Sequence, residues 1–103
     1  MFWCIIFVGH FKATLGNNCP INAVIKTEND CKMAALVFGL IYSTQYCSGC
    51  PRNDYPSGCL YGNDMQYASF NVYTDISLTD PQNSQFGGLC KIGKYEYSGT
   101  CCV

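Results

Sequence analysis

"QYCSGCPRNDYPSGC", residues 45–59, places three cysteines, two prolines and two glycines in fifteen positions. Three chemistries compete for Cys47-Ser-Gly-Cys50: a metal-ligand pair, a redox couple, and a staple that anchors a loop. Structural zinc takes two compact ligand pairs. Here the second pair would have to be Cys59 with Cys90, or the adjacent Cys101 and Cys102, and the single histidine, His10, is remote in sequence. A thioredoxin-like couple sits at the start of a helix that follows a strand, whereas Pro51 and Pro56 deny this segment a helix. The staple is the reading that remains, and it makes the protein a disulfide scaffold.

Composition agrees. Nine cysteines in 103 residues, at 4, 19, 31, 47, 50, 59, 90, 101 and 102, reach the density of small disulfide-stapled domains. Eight of them, from Cys19 to Cys102, suffice for four bridges. Only 13% of residues are charged and the formal net charge is −1. With no cluster of Lys and Arg to displace counterions, nucleic acid is excluded as a partner. Eight Tyr, six Phe and one Trp leave a surface weakly protected against association.

Residues 1–18 read as an apolar arm and residues 19–103 as the stapled module. The run Phe2, Trp3, Ile5, Ile6, Phe7 and Val8 is too short to span a membrane as a helix. Its β-branched and aromatic residues favour a retained strand. A secretory leader is the alternative, although basic residues follow the run instead of preceding it.

Beyond the arm, the pattern predicts an α+β domain with one helix over about 28–38 packed on an antiparallel sheet. Thr27 is placed as N-cap with Asp30 three residues on, and Glu28 suits the helix dipole. Cys31, Ala34, Ala35 and Phe38 share a face, and Gly39 is placed to end the helix. A β-prone run is expected at Ala23–Ile25 and another strand in "LIYSTQY". A hairpin is expected over 59–73 around Gly62-Asn63-Asp64, with neither face of its second arm purely polar. "TDISLTDPQNSQFGG" reads as a polar loop, followed by two short strands around Gly93.

Cys19-Pro20, Cys31-Lys-x-Ala34-Ala35, Pro56-Ser-Gly-Cys59, Tyr67-x-x-Phe70-Asn71 and Leu89-Cys90-Lys91 together resemble a small cysteine-rich module. That module recurs in predicted secreted and surface proteins of algae, dinoflagellates and other protists. The helix followed by a Pro-x-Gly-Cys strand is also similar to the PAN/apple fold, in which a helix is bridged to a sheet. The resemblance covers residues 19–91 and implies the pairs Cys31–Cys59 and Cys19–Cys90. For the other four, bridges from Cys47 and Cys50 to Cys101 and Cys102, in either order, complete the count. Cys4 is left free or bridges to another subunit.

No catalytic constellation is legible. A nucleophile needs a base within hydrogen-bond reach, the one histidine lies in the arm, and the carboxylates are scattered. No enzyme activity, metal or cofactor is expected. The expected role is an extracellular or cell-surface structural subunit that associates with itself into a filament, sheath or coat, using Phe2, Trp3, Ile5, Ile6, Phe7 and Val8. The alternative is a monomeric secreted module that binds glycan or protein through Tyr55, Tyr61, Tyr67 or Tyr73.

Overall fold

The computed structural model describes residues 9–47, 50, 54–72 and 83–92. The apolar arm residues Phe2, Trp3, Ile5, Ile6, Phe7 and Val8, together with Cys4, Tyr73, Cys101 and Cys102, lie outside them.

Helix α1, Glu28–Val37, is defined by its two ends. Thr27 is extended and its hydroxyl accepts the Asp30 N–H at 3.2 Å. At the other end Gly39 turns left-handed (φ 68°). Its N–H reaches Leu36 O at 3.1 Å, and Leu40 N–H reaches Ala35 O at 2.8 Å. This double bond is a Schellman stop, which needs a residue without a Cβ penalty at C′. The buried stripe is Cys31, Ala34 and Ala35. Two alanines keep that face flat, so the helix lies close on the sheet.

Four further strands join β1, Gly9–Lys12, in one sheet: β2, Ile41–Tyr42; β3, Gly58–Gly62; β4, Tyr67–Asn71; and β5, Phe86–Ile92. Their spatial order is β1-β5-β3-β4-β2. The domain is thus a small disulfide-rich α+β fold. The sheet is mixed, because β2 runs parallel to β4 with Ile41 opposite Tyr67. The expectation of an antiparallel sheet fails for this pair because β2 and β3 do not pair with each other but flank β4 on opposite sides.

Three more expectations need correction. The hairpin loop is residues 63–66, closed by Gly62 and Tyr67, and not the three residues Gly62-Asn63-Asp64; its left-handed residue is Met65 (φ 58°). Ile21–Ala23 is a 3-10 turn, and only Val24 bridges to the sheet, opposite Cys90. The last strand begins at Phe86, inside the stretch read as a loop, because its glycines are demanded by packing. A Cβ on Gly87 would stand 2.8 Å from the Tyr61 ring, and one on Gly88 would stand 2.7 Å from the Cys19 sulfur.

Both faces of the sheet are covered. On one, α1 buries Cys31, Ala34 and Ala35 against Cys59, Tyr61, Ala68 and Leu89, with Ile25 and Leu40 at the margins. On the other, Cys19, Ala23 and Val24 pack with Cys90 beneath Phe11. The segment leading into β3 completes that second layer. Asn71 donates from Nδ2 to Pro56 O at 3.0 Å and to Tyr55 O at 3.2 Å, and Ser57 N–H donates to Asn18 Oδ1 at 2.9 Å. These bonds satisfy backbone groups that burial would otherwise leave costly. The alternating second arm of the hairpin therefore buries Ala68 on one side and Ser69 and Asn71 on the other.

Cys31–Cys59 joins helix to sheet, with Cα atoms 5.2 Å apart, and Cys19–Cys90 ties the opposite layer to β5 at 5.6 Å. These are the pairs implied by the module resemblance. The expected bridges from Cys47 and Cys50 to Cys101 and Cys102 are overturned: Cys47 and Cys50 are joined to each other. Cys50 N–H reaches Cys47 O at 3.0 Å, and the two Cα atoms stand 5.3 Å apart. By loop-closure entropy the bridges spanning 71, 28 and 3 residues contribute about 4.4, 3.6 and 1.6 kcal/mol. Only the first two cross-link separate elements.

Two substitutions test this packing by denaturant unfolding. Thr27→Ala is expected to cost about 1 kcal/mol through the lost cap. Ala35→Asp, which places an unpaired charge under the helix, is expected to cost at least about 2 kcal/mol more. Equal losses would mean that the alanine stripe is not the packed face.

Candidate functional site

The Cys47–Cys50 bridge opens onto a shallow cleft of about 310 Å³, between the start of α1 and the end of β4. Its lining is Glu28, Tyr42, Thr44, Phe70 and Val72 together with the two cysteines. Tyr42 donates its hydroxyl to Glu28 Oε2 at 2.7 Å, and Lys32 Nζ lies 5.5 Å from the centre of the same ring. Burial, then the hydrogen bond and charge of Glu28, push the Tyr42 phenol well above its ordinary range. Cys47 is buried and Cys50 half-buried.

Beside this cleft, four aromatic rings cover the outer end of the sheet. The Tyr46 ring lies 5.2 Å from Tyr67 and 5.7 Å from Phe86, and Tyr55 lies 4.4 Å from Phe86. Gly62 lies beneath Tyr46, whose hydroxyl occupies the space a side chain there would need. That hydroxyl donates to Asp64 Oδ1 at 3.3 Å, and the same oxygen accepts Gln66 N–H at 3.0 Å. Burial first, and then the Asp64 carboxylate, raise the Tyr46 pKa to about 12. Burial also raises that of Tyr61, whose hydroxyl is bound to Ala13 O.

Of the tyrosines expected to offer a binding face, Tyr61 is buried while Tyr55 and Tyr67 are half-buried. Tyr61 is buried under the helix with its ring against Gly87, and Tyr55 and Tyr67 turn ring faces to Phe86 and Tyr46. Asn63 and Asp64 are engaged within the hairpin loop and with Gln85, to whose side chain Asn63 donates at 2.6 Å. Among the described residues no group of three His, Cys, Asp or Glu could hold a metal ion.

Among the described strands, β1 forms one edge of the sheet. The register pairs Phe11 with Cys90 and Gly9 with Ile92, and Ala13 N–H bonds to Gly88 O at 2.9 Å. By the alternation of an antiparallel pair, the peptide groups of His10 and Lys12 point away from β5. At the opposite margin Ile41 of β2 is exposed, as are Met33, Leu36 and Val37 of α1. The Glu28–Tyr42 contact and the Asn71 clamp escaped the sequence reading, which had Glu28 as a dipole partner only.

No family model, no curated protein and no solved structure matches this chain. Among the described residues, no helix is long and apolar enough to cross a membrane.

The tyrosine shifts have a definite sign. A phenol with a raised folded-state pKa lends stability that is fully present below its ordinary value near 10 and is lost as the pH rises through the folded value. Absorbance titration of tyrosinate is expected to show late phases, with Tyr46 near 12. Glu28→Gln should bring the Tyr42 phase to lower pH; titration of all eight tyrosines together near 10 would contradict the geometry.

Proposed function

We propose that this domain is an extracellular structural subunit that associates with copies of itself into a filament, sheath or surface coat. The observation that carries the reading is the position of β1. Among the described strands it is an edge strand with outward peptide groups at His10 and Lys12, and the apolar run Phe2 to Val8 directly precedes it in sequence.

An edge strand is a template for strand addition, and a donated apolar segment would supply affinity as it leaves water. Four large side chains buried in such a contact would contribute roughly 6–12 kcal/mol. Contacts of this head-to-tail kind propagate when the rotation between copies does not close. Three described disulfides suit an oxidising compartment. Low charge, abundant tyrosine and the exposed apolar residues on α1 favour association over dispersal. The resemblance to secreted and surface modules points the same way.

Sedimentation and electron microscopy of the full chain are expected to show extended assemblies that grow with concentration. The substitutions Ile6→Lys and Val8→Lys together should leave a folded monomer. A parent chain that stays monomeric at every concentration would hand the function to the glycan- or protein-binding reading. Assembly unchanged by the two lysines would move the contacts to the exposed faces of the domain.

A further inference from the structure

The three described bridges are unequal. Cys19, Cys90, Cys31 and Cys59 are at most 2% exposed, inside the two packed layers. No outside nucleophile reaches them in the folded domain. Cys50 is half-buried, and its bridge to Cys47 lines the cleft beside Tyr42 and Phe70. That bridge also spans only three residues, so opening it releases no element from the sheet. The turn keeps its own hydrogen bond from Cys50 N–H to Cys47 O, and Tyr46 stays held by Asp64 and its ring neighbours. A third fact is arithmetic. Nine cysteines cannot all pair within the 103 residues, so at least one sulfur is left over for a partner outside them.

We propose that Cys47–Cys50 is the thiol-exchange site of the folded domain, where a cysteine thiolate of a second copy is captured on Cys50. The assignment of the second copy rests on the self-association reading; the reactivity of the site does not. The attacking thiolate forms a sulfur–sulfur bond to Cys50 Sγ as the Cys50–Cys47 bond breaks. Cys47 leaves as the thiolate and takes a proton from water. One disulfide is exchanged for another, so no external oxidant or reductant enters the balance. Cys50 is the sulfur attacked because Cys47 is 4% exposed and stands behind it. Glu28, on the cleft wall, opposes the approach of an anion, an effect offset in part by Lys32 over the Tyr42 ring. Exchange therefore converts a local loop closure into a covalent link between copies without loss of the fold.

The test uses the full chain in non-denaturing buffer with glutathione as the small thiol probe, followed by alkylation and peptide mapping without reduction. Glutathione is expected on Cys50, with Cys47 alkylated, at least about tenfold faster than at any sulfur of the buried bridges, because access limits the rate. Cys19–Cys90 and Cys31–Cys59 should remain intact and the near-ultraviolet circular dichroism unchanged. Glu28→Gln should speed the reaction. Adducts appearing first at Cys19, Cys31, Cys59 or Cys90, or an inert Cys47–Cys50 bridge, would overturn the site. In concentrated parent protein, disulfide-linked dimers should map to Cys50 and vanish in Cys50→Ser. If glutathione reacts as expected but dimers never involve Cys50, the second copy is overturned as the partner and the exchange site stands.

Discussion

The bond between Cys31 and Cys59 is the constraint on which the other contacts depend. It fixes the N-terminal half of α1 over β3, the strand at the centre of the sheet, and both cysteines are fully buried. A ten-residue helix has little stability of its own in water, and this one offers the sheet only two alanines and a cysteine. Flatness makes the approach close, and the bridge makes it permanent. Tyr61, Leu89 and Ala68 then fill the space beneath, and Asp30 reaches Lys91 of β5 at 3.2 Å at the helix's first turn.

With one face closed by the helix, the other is closed without one. Cys19–Cys90 holds the segment before α1 against β5, and the side chains of Asn71 and Asn18 hold the segment before β3 by hydrogen bonds to its backbone. A small chain thereby covers both sides of a sheet with irregular backbone, which needs its polar groups paired to be buried. The cost of this economy is visible at the margins. Leu36 and Ile41 remain largely exposed and β1 is an edge among the described strands, the features on which the proposed association rests.

The helix was legible because its signals are local. Thr27, the Cys31-Ala34-Ala35 stripe and Gly39 each act within one turn, and each sits where the pattern placed it. The hairpin's pairing was also legible from alternation, but its loop was not, since the left-handed position fell on Met65, a residue without turn preference. Parallel pairing of β2 with β4 depends on β2 and β3 lying on opposite sides of β4, and no local pattern encodes that. Gly87 and Gly88 read as loop residues, yet they are glycines because Tyr61 and Cys19 occupy the space above them. The Cys47–Cys50 closure was missed for a different reason: counting bridges favours long connections, whereas a tight turn satisfied the pair locally. The arm from Phe2 to Val8 lies outside the described residues, and its part in association rests on its composition and on the edge strand that follows it.

Function in this account comes from what the scaffold does not cover. Two deep bridges make the domain durable, and a shallow one beside an open cleft leaves a sulfur accessible. The claim that the fold hangs on the helix-to-sheet bridge is tested most directly by replacing it, with Cys31→Ala and Cys59→Ala together, and measuring unfolding by denaturant. The account predicts a loss of about 3–4 kcal/mol, near the loop-closure value for 28 residues, with the helical signal lost first. A loss below about 1 kcal/mol, less than even the shortest bridge would contribute, with the helix retained, would contradict it.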